Sequence, residues 1–387
     1  MTEKRFKVSI IYFVVVVLTL LMRVASALDI YSALGIDDAD AFWSFSIQIV
    51  IFGVVPFVLY TIFVAGREDR FLPYLAIGKK KSEELENSDE PAEIFEDKEL
   101  ETAVEPQATL SEEDDLQDQV SPKCEKPETK GRKAIRLICA TFSDFGFKKV
   151  SAKSALATIP LAICMIIIGS GVSMLWQIVL SLTGYTHTSS NTDYYSIAIL
   201  FKELFFVAVL PGFFEEFTHR GLLGAGYRET GWKFVVMSAL LFGLMHQNIV
   251  QTGYTFVDGI AMALVLYYTG SIFPAMFMHF LNNAVSVCLG YIEQNGGVFG
   301  FVNTFEDWLY STFGGLIVCI LAILISAVIV VLIFYAMRKE AVKQGRIDDA
   351  PFKKTDALPI KYDLVFMLTV IVGVAATVFS LVWGIMR

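Results

Sequence analysis

Residues Ile197–Gly224 read IAILFKELFFVAVLPGFFEEFTHRGLLG, and this stretch decides how the chain folds. A helix of this length extends for about 42 Å at about 1.5 Å per residue, which exceeds the roughly 30 Å hydrocarbon core of a bilayer. Its centre nevertheless carries Glu215, Glu216, His219 and Arg220. Ionisable side chains at such a depth are costly and usually mark a function. The segment therefore predicts a transmembrane helix that carries a polar functional site.

Apolar runs of similar length recur along the whole chain of 387 residues. Hydrophobic residues make up 55% of the chain, charged residues make up 18%, and the mean hydropathy is +0.57. This composition excludes a water-soluble globular protein and predicts an all-α polytopic membrane protein. The nine predicted transmembrane helices are Val8–Leu28, Phe42–Val64, Ala155–Leu182, Ile197–Gly224, Phe234–Val250, Tyr254–Thr269, Ile272–Ile292, Leu309–Met337 and Leu364–Met386.

An acidic segment divides these spans into two groups. Residues Ser82–Lys130 hold 18 acidic and 4 basic side chains, whereas the rest of the chain has a net charge of +5. Because the segment is poor in large apolar residues, it cannot bury enough surface to offset its ordering entropy. We therefore expect a two-span N-terminal hairpin at residues 1–81, a disordered cytoplasmic linker at 82–130 and a seven-span core at 131–387. The linker is a candidate site for a protein partner.

Lysine and arginine side chains are confined to alternate loops. The loops without them are 29–41, 183–196, 251–253 and 293–308. The basic loops are 66–81, 123–153, 228–233 and 338–361. Because basic loops remain in the cytoplasm, we expect a cytoplasmic N-terminus and, after nine crossings, an external C-terminus. The first span is too long for a signal-peptide core and predicts an uncleaved anchor, in what we expect to be a bacterial plasma membrane.

Histidine side chains on two later spans reach the depth of Glu215. Glu215 lies 13 residues before Arg228, which is about 20 Å along a helix. His246 lies 13 residues after Lys233, and these two cations flank one turn, so Glu215 and His246 can face each other. His279 lies nine residues beyond the next cytoplasmic turn, or about 14 Å from it. Three helices are thus predicted to bring a carboxylate and two imidazoles together.

Helical spacing assigns different roles to the two glutamates. Glu216 and Arg220 are four residues apart on one face, so we expect them to form an ion pair in the low-dielectric interior. Glu215 points about 100° away from that face and remains available. His279 and Asn283 are also four residues apart and can project into the same pocket.

A carboxylate and a histidine that share a water molecule can carry out general-base chemistry. Glu215 is the candidate base, and His279 and Asn283 could donate hydrogen bonds to the oxyanion that develops on an amide carbonyl. Glu215, His246 and His279 could instead hold Zn²⁺ and leave one position for water. No HExxH motif is present, and with Glu216 already paired, little carboxylate support for zinc-bound imidazoles is expected.

Three motifs on successive core helices carry a family resemblance. They are Glu215-Glu216-x-x-x-Arg220, Phe242-x-x-x-His246 and His279-x-x-x-Asn283. In this order they resemble the CPBP family, which comprises the type II CAAX prenyl endopeptidases and bacterial relatives linked to bacteriocin processing and immunity. The resemblance covers Ile197–Ile292 and, by implication, the core from about Ala155 onward.

This resemblance implies an intramembrane endopeptidase. In such an enzyme, Glu215 and His246 activate water while His279 and Asn283 bind the oxyanion. The family is described as metal-dependent, although a metal-free glutamate mechanism is also proposed for it. The sequence leaves both mechanisms open.

Two other classes of function fit part of the pattern. A secondary transporter also carries Glu, Arg and His at mid-membrane, but here these residues cluster in one three-helix site that no second half repeats. A non-catalytic scaffold or immunity protein of the same family is expected to lack Glu215, His246 or His279, and all three are present. Nucleic-acid motifs are absent from the sequence, so the expected partners are the bilayer and a membrane-associated peptide or protein substrate.

Four other polar residues have simpler explanations. Asn282 is expected to face away from the pocket, and His219 to support its neighbours or face the cytoplasm. Asp258 lies near the outer end of its span, which fits an interfacial position. Arg23 can reach the outer interface from the end of the first span.

Overall fold

The computed structural model describes residues 2–28, 30, 34, 39–67, 129–186, 192–348 and 364–386. Helices form the regular secondary structure of these residues. The all-α polytopic membrane architecture expected from the sequence is confirmed. The predicted linker 82–130 lies outside the described residues, except for its last two.

Eleven helices, numbered here in chain order, lie within these described ranges. They are α1 (Glu3–Ala27), α2 (39–63), α3 (Lys130–Asp144), α4 (Ala152–Leu182), α5 (Ile197–Thr230), α6 (Trp232–Met245), α7 (Ile249–Thr269), α8 (Phe273–Asn295), α9 (Phe301–Ser311), α10 (Phe313–Lys343) and α11 (Leu364–Met386).

Eight helices in the described part of the chain, rather than nine, are long and apolar enough to cross a membrane. The exception is α6, which has 14 residues and is about 21 Å long, shorter than the hydrocarbon core. It ends at a turn where Gln247 has a φ of 47° and where the Asn248 side chain accepts from the Val250 N–H at the start of α7. The predicted loop 251–253 is therefore helical, and the turn precedes it.

The short α6 leaves the order of the loops unchanged. Trp232 at the start of α6 and Thr269 at the end of α7 line the same cavity at one end of the molecule. The two helices therefore form a hairpin, in which the start of α6 and the end of α7 lie at the same end of the molecule.

The N-terminal hairpin, α1 and α2, shares its core with the later helices. The described residues up to 67 and those from 136 onward belong to one compact unit. Within this unit, Tyr12 and Val8 are almost fully buried. Val8 lies so close to Gly226 of α5 that a Cβ atom there would be 3.0 Å from the valine side chain.

Both α2 and α5 contain wide π-helical turns. These turns span Ser46–Val54 in α2, and Leu204–Val209 and Phe217–Leu222 in α5. Between the latter two, Leu210–Glu216 is α-helical and has Pro211 in its first turn. Such turns leave backbone groups without their usual partners and are frequent at functional sites.

Candidate active site

The four side chains predicted to be catalytic line one cavity within the helix bundle. Glu215 reaches it from α5, His246 from the α6–α7 turn, and His279 and Asn283 from α8. The cavity has a volume of about 350 Å³, and residues of α2, α4 and α7 complete its wall. The structure thus brings together residues that are separated by up to 68 positions in the chain.

Glu215 is held from two directions. Its Oε1 accepts a hydrogen bond of 2.8 Å from Gln48 Nε2 of α2. Its Oε2 lies 3.9 Å from His279 Nε2, and the side chain is 12% exposed. Because Oε1 already accepts from Gln48, Oε2 is the oxygen available to a molecule that binds in the cavity.

His246 presents one ring nitrogen to the cavity because the other is occupied. Its Nδ1 lies 2.8 Å from the carbonyl oxygen of Phe242, one turn earlier in α6. A carbonyl oxygen can only accept, so Nδ1 carries the proton and a neutral ring has an unprotonated Nε2. Arg23 of α1 donates at 2.6 Å to the carbonyl of His246, where a cation also complements the C-terminal end of the helix.

Glu216 links two of the predicted site residues. Its Oε1 accepts from Arg220 Nη1 at 2.8 Å, as the spacing of four residues predicted, and neither side chain is exposed. The same oxygen lies 2.9 Å from His279 Nδ1. The expectation that pairing with Arg220 would leave little carboxylate support for an imidazole is therefore wrong. The carboxylate fixes the His279 ring as well as the cation.

Arg220 is enclosed by three different kinds of contact. Besides Glu216, its guanidinium donates at 3.2 Å to the carbonyl of Gly259 in α7. It also lies 4.2 Å from the centre of the Phe242 ring in α6, a distance at which a cation is attracted to the aromatic face. Arg220 therefore joins α5 to both helices of the α6–α7 hairpin.

Asn283 attaches α8 to α5 at the proline. Its Nδ2 donates at 2.8 Å to the carbonyl of Val207. In a regular α-helix that carbonyl would accept from residue 211, but Pro211 has no N–H. The second Nδ2 hydrogen of Asn283 remains for the cavity. Asn282 donates to Asn283 Oδ1 at 3.4 Å and also lines the cavity, so the prediction that it faces elsewhere is wrong.

Three residues of the site were not predicted from the sequence. Gln48 and Arg23 come from the N-terminal hairpin, and Asp258 lines the cavity from α7. Asp258 is 9% exposed, and its Oδ1 has no hydrogen-bond partner among the described residues. Asp258 therefore lines the site and is not exposed on the outer surface of the bundle. Each of these three residues is an amide or a charged group in an apolar span, and such a group needs a partner or a function. That feature of the sequence could have identified them.

His219 lies outside the residues that line this cavity. It is 1% exposed, and its Nδ1 lies 2.7 Å from the hydroxyl oxygen of Tyr12 in α1. It therefore does not face the cytoplasm. It connects α5 to the N-terminal hairpin.

The candidate zinc ligands do not form a metal site in this conformation. Among the described residues, no three His, Cys, Asp or Glu side chains converge closely enough to hold a metal ion. Glu215 Oε2 lies 3.9 Å from His279 Nε2, and the Nδ1 of His279 binds Glu216, as the second ring nitrogen of a metal-bound histidine commonly binds a carboxylate. Glu215, His246 and His279 nevertheless do not converge on a three-ligand zinc site in this conformation.

A second cavity, of about 960 Å³, adjoins the first. The two cavities share Asp258, Asn282 and Asn283 among their lining residues. The wall that α4 contributes includes Ser170, Ser173, Gln177 and Ser181, which recur every three or four residues, beside apolar residues such as Ile166 and Met174. The cavity extends to Tyr185 and Tyr310. A polar passage therefore connects the site with the end of α4.

A known protein family matches the part of the chain that carries the predicted catalytic residues. Residues 197–285 match the family model described as type II CAAX prenyl endopeptidase Rce1-like. The matched segment contains Glu215, His246, His279 and Asn283, but neither Gln48 nor Arg23. No curated protein and no solved structure matches the chain. The match supports a CAAX-type protease of the CPBP family.

Proposed function

We propose that this chain is a CPBP-family intramembrane endopeptidase that hydrolyses a peptide bond of a membrane-associated protein or peptide. One observation carries the proposal. Glu215, His246 and His279, from different helices, line one cavity that is large enough for water and a peptide segment. A hydrolytic site requires a base, a water molecule and donors for an oxyanion in such proximity.

Water activation is assigned to Glu215 and His246. A water molecule between Glu215 Oε2 and His246 Nε2 donates one hydrogen bond to each of them. As its oxygen forms a bond to the scissile carbonyl carbon, Glu215 accepts the proton. The tetrahedral intermediate then collapses, the C–N bond breaks, and the same proton passes to the leaving amine, which leaves a carboxylic acid and an amine.

The donors to the oxyanion are assigned to α8. Asn283 offers its second Nδ2 hydrogen, and Asn282 lines the cavity beside it. His279 can donate from Nε2 only when its ring carries both protons, because Nδ1 already donates to Glu216. The negative charges of Glu215 and Glu216 on either side would balance that imidazolium.

We further propose that zinc is not obligatory for this reaction. The support is that Glu215, His246 and His279 do not converge closely enough to hold a metal ion. Elemental analysis of the purified protein, with activity measured before and after chelation, tests this. Full activity in metal-free protein is expected. Stoichiometric zinc whose removal and restoration switch activity off and on would contradict it.

The proposed route for the substrate is the polar passage along α4. Its serines and Gln177 can form hydrogen bonds with an extended peptide backbone, which has no other partners within a bilayer. The proposed location is a bacterial plasma membrane with a cytoplasmic N-terminus and an external C-terminus. The support for that orientation is the confinement of Lys and Arg to alternate loops.

Hydrolysis can be tested directly in isotopically labelled water. The purified full-length protein in lipid nanodiscs is incubated in H₂¹⁸O with a set of lipid-anchored peptides, including a prenylated CAAX peptide and its unprenylated counterpart. The expected product is a fragment with one ¹⁸O in its new C-terminal carboxylate, detected by mass spectrometry. A folded protein that binds the peptides but cleaves none of them would instead indicate a non-catalytic member of the family.

A further inference from the structure

A third cavity lies at the end of the bundle opposite the passage along α4. Its volume is about 790 Å³, and it is formed by the start of α4, the α5–α6 and α7–α8 turns, and the end of α10. None of its lining residues lines the candidate active site. The chemistry proposed above makes no use of it.

The lining of this cavity, named here the basic cavity, is strongly cationic. Its six cations are Lys148, Lys149, Arg228, Lys233, Arg338 and Arg346. Only Glu229 and Asp348 oppose them, which leaves a net charge of +4. Glu229 is moreover almost fully exposed and lies 3.8 Å from Arg5 of α1, so it contributes little negative charge to the cavity.

Two of the arginines also donate to backbone carbonyls, which fix their position. Arg228 donates at 3.0 Å to the carbonyl of Asp144. Arg346 donates to the carbonyl of Tyr268. The Nε of Arg346 is buried and has no acceptor among the described residues. A buried N–H of this kind normally has a partner, so the cavity offers a donor as well as a positive field.

Aromatic side chains place the basic cavity at the level of lipid headgroups. Trp232, Tyr267 and Tyr268 line it, and Trp232 is half-exposed. Tryptophan and tyrosine are enriched where the hydrocarbon meets the polar region of a bilayer. The cavity also lies where four membrane-spanning helices, α4, α5, α7 and α10, begin or end. Cationic pockets between helices at this depth suit anionic headgroups.

We propose that the basic cavity binds the phosphate-bearing headgroup of an anionic phospholipid. The lysines supply mobile ammonium groups, and the two fixed arginines supply oriented donors for phosphate oxygens. A lipid is favoured over a free phosphate ion because the aromatic residues and the ends of the spans place the site at the interface. This site is independent of the peptidase activity.

Native mass spectrometry of the full-length protein can test this proposal. The protein is extracted in detergent and supplied with equal amounts of phosphatidylglycerol and phosphatidylcholine. The test variant carries Lys148→Gln, Lys149→Gln and Lys233→Gln. The matched control carries Lys153→Gln, Lys339→Gln and Lys343→Gln, which remove the same charge from the same end of the bundle but do not line the cavity.

The wild type and the control are expected to retain phosphatidylglycerol at least about tenfold more than phosphatidylcholine, and the test variant is expected to lose this preference. Size-exclusion elution at the wild-type position establishes that each variant is folded. Equal lipid retention by the test and control variants would overturn the proposal. Displacement of phosphatidylglycerol by millimolar inorganic phosphate would assign the cavity to a free anion and would also overturn it.

Discussion

At the scale of single residues, Glu216 Oε1 is the atom on which most of the site depends. It accepts from Arg220 at 2.8 Å and from His279 at 2.9 Å, and all three side chains are buried. Glu215, the preceding residue, lines the cavity, accepts a hydrogen bond from Gln48 and lies 3.9 Å from His279. One glutamate therefore orients the site, and its neighbour is the proposed general base.

Replacement of Arg220 should destabilise the protein more than replacement of both partners. Arg220→Ala leaves Glu216 as a buried carboxylate without its cation, which is expected to lower the free energy of unfolding by roughly 3–5 kcal/mol. In the double variant Glu216→Gln, Arg220→Ala the loss should be smaller. Activity should still be low in both variants. In the double variant, the neutral amide at position 216 no longer fixes the His279 ring as a carboxylate does. In Arg220→Ala, the Glu216 carboxylate is no longer held in place.

Thermal unfolding of the purified variants, followed by circular dichroism, measures this difference. Lys339→Ala is a control for removal of a cation elsewhere, since Lys339 lies outside the site and contacts Tyr335. A double variant less stable than Arg220→Ala alone would show that the ion pair is not the source of the stability.

Removal of the hydrogen bond from Gln48 should reduce kcat more than it changes KM. Gln48→Met preserves the length of the side chain but no longer holds Glu215 Oε1. A freed carboxylate spends less time oriented toward water, so we expect about a tenfold loss of kcat, which corresponds to about 1.4 kcal/mol. Steady-state kinetics on a cleaved peptide measures this split. Val50→Met, on the same helix and half-exposed, should leave both constants unchanged.

At the scale of helices, a close contact between α5 and α8 positions the site. A Cβ atom on Gly212 would lie 3.0 Å from the backbone of Phe280, which is the residue after His279. One residue earlier, Pro211 has no N–H to donate to the Val207 carbonyl, which accepts from Asn283. The Pro-Gly pair therefore acts as a docking point for α8.

Gly212→Ala should therefore displace α8 and its His279. Because backbone atoms cannot yield as a flexible side chain can, the extra methyl group is expected to cost about 1–3 kcal/mol of stability and to lower activity. Gly314→Ala is a suitable control, since its Cβ would meet Trp308 at an ordinary distance of 3.6 Å. If Gly212→Ala matches this control in melting temperature and activity, the close approach has no functional importance.

The limits of sequence interpretation are clearest for the helices. Apolar runs predicted the spans because the thickness of the hydrocarbon core sets a minimum length for a spanning helix, and lipid contact requires an apolar composition. The Glu216–Arg220 pair was predictable because residues four apart on a helix always face the same side. The early end of α6 depends on the turn at Gln247, and the π-helical turns depend on contacts with other helices. Such features have no simple periodicity in the sequence.

At the scale of the whole molecule, the N-terminal hairpin is part of the candidate site. Arg23 binds the carbonyl of His246 across 223 sequence positions, and Gln48 binds Glu215 across 167. Neither residue lies in the segment that matches the family. No local pattern links residues so far apart, so sequence interpretation placed the hairpin outside the site.

The central claim is that Glu215 of α5 and His246 at the end of α6 act as one unit on a single water molecule. Turnover of a cleaved peptide by Glu215→Gln, His246→Gln and the double variant, each purified and folded, tests this most directly. Each single variant should lose about 10²–10⁴-fold in kcat, and the double variant should be scarcely worse than either of them. Retained turnover in Glu215→Gln, or a double variant that loses the product of the two single effects, would contradict the claim.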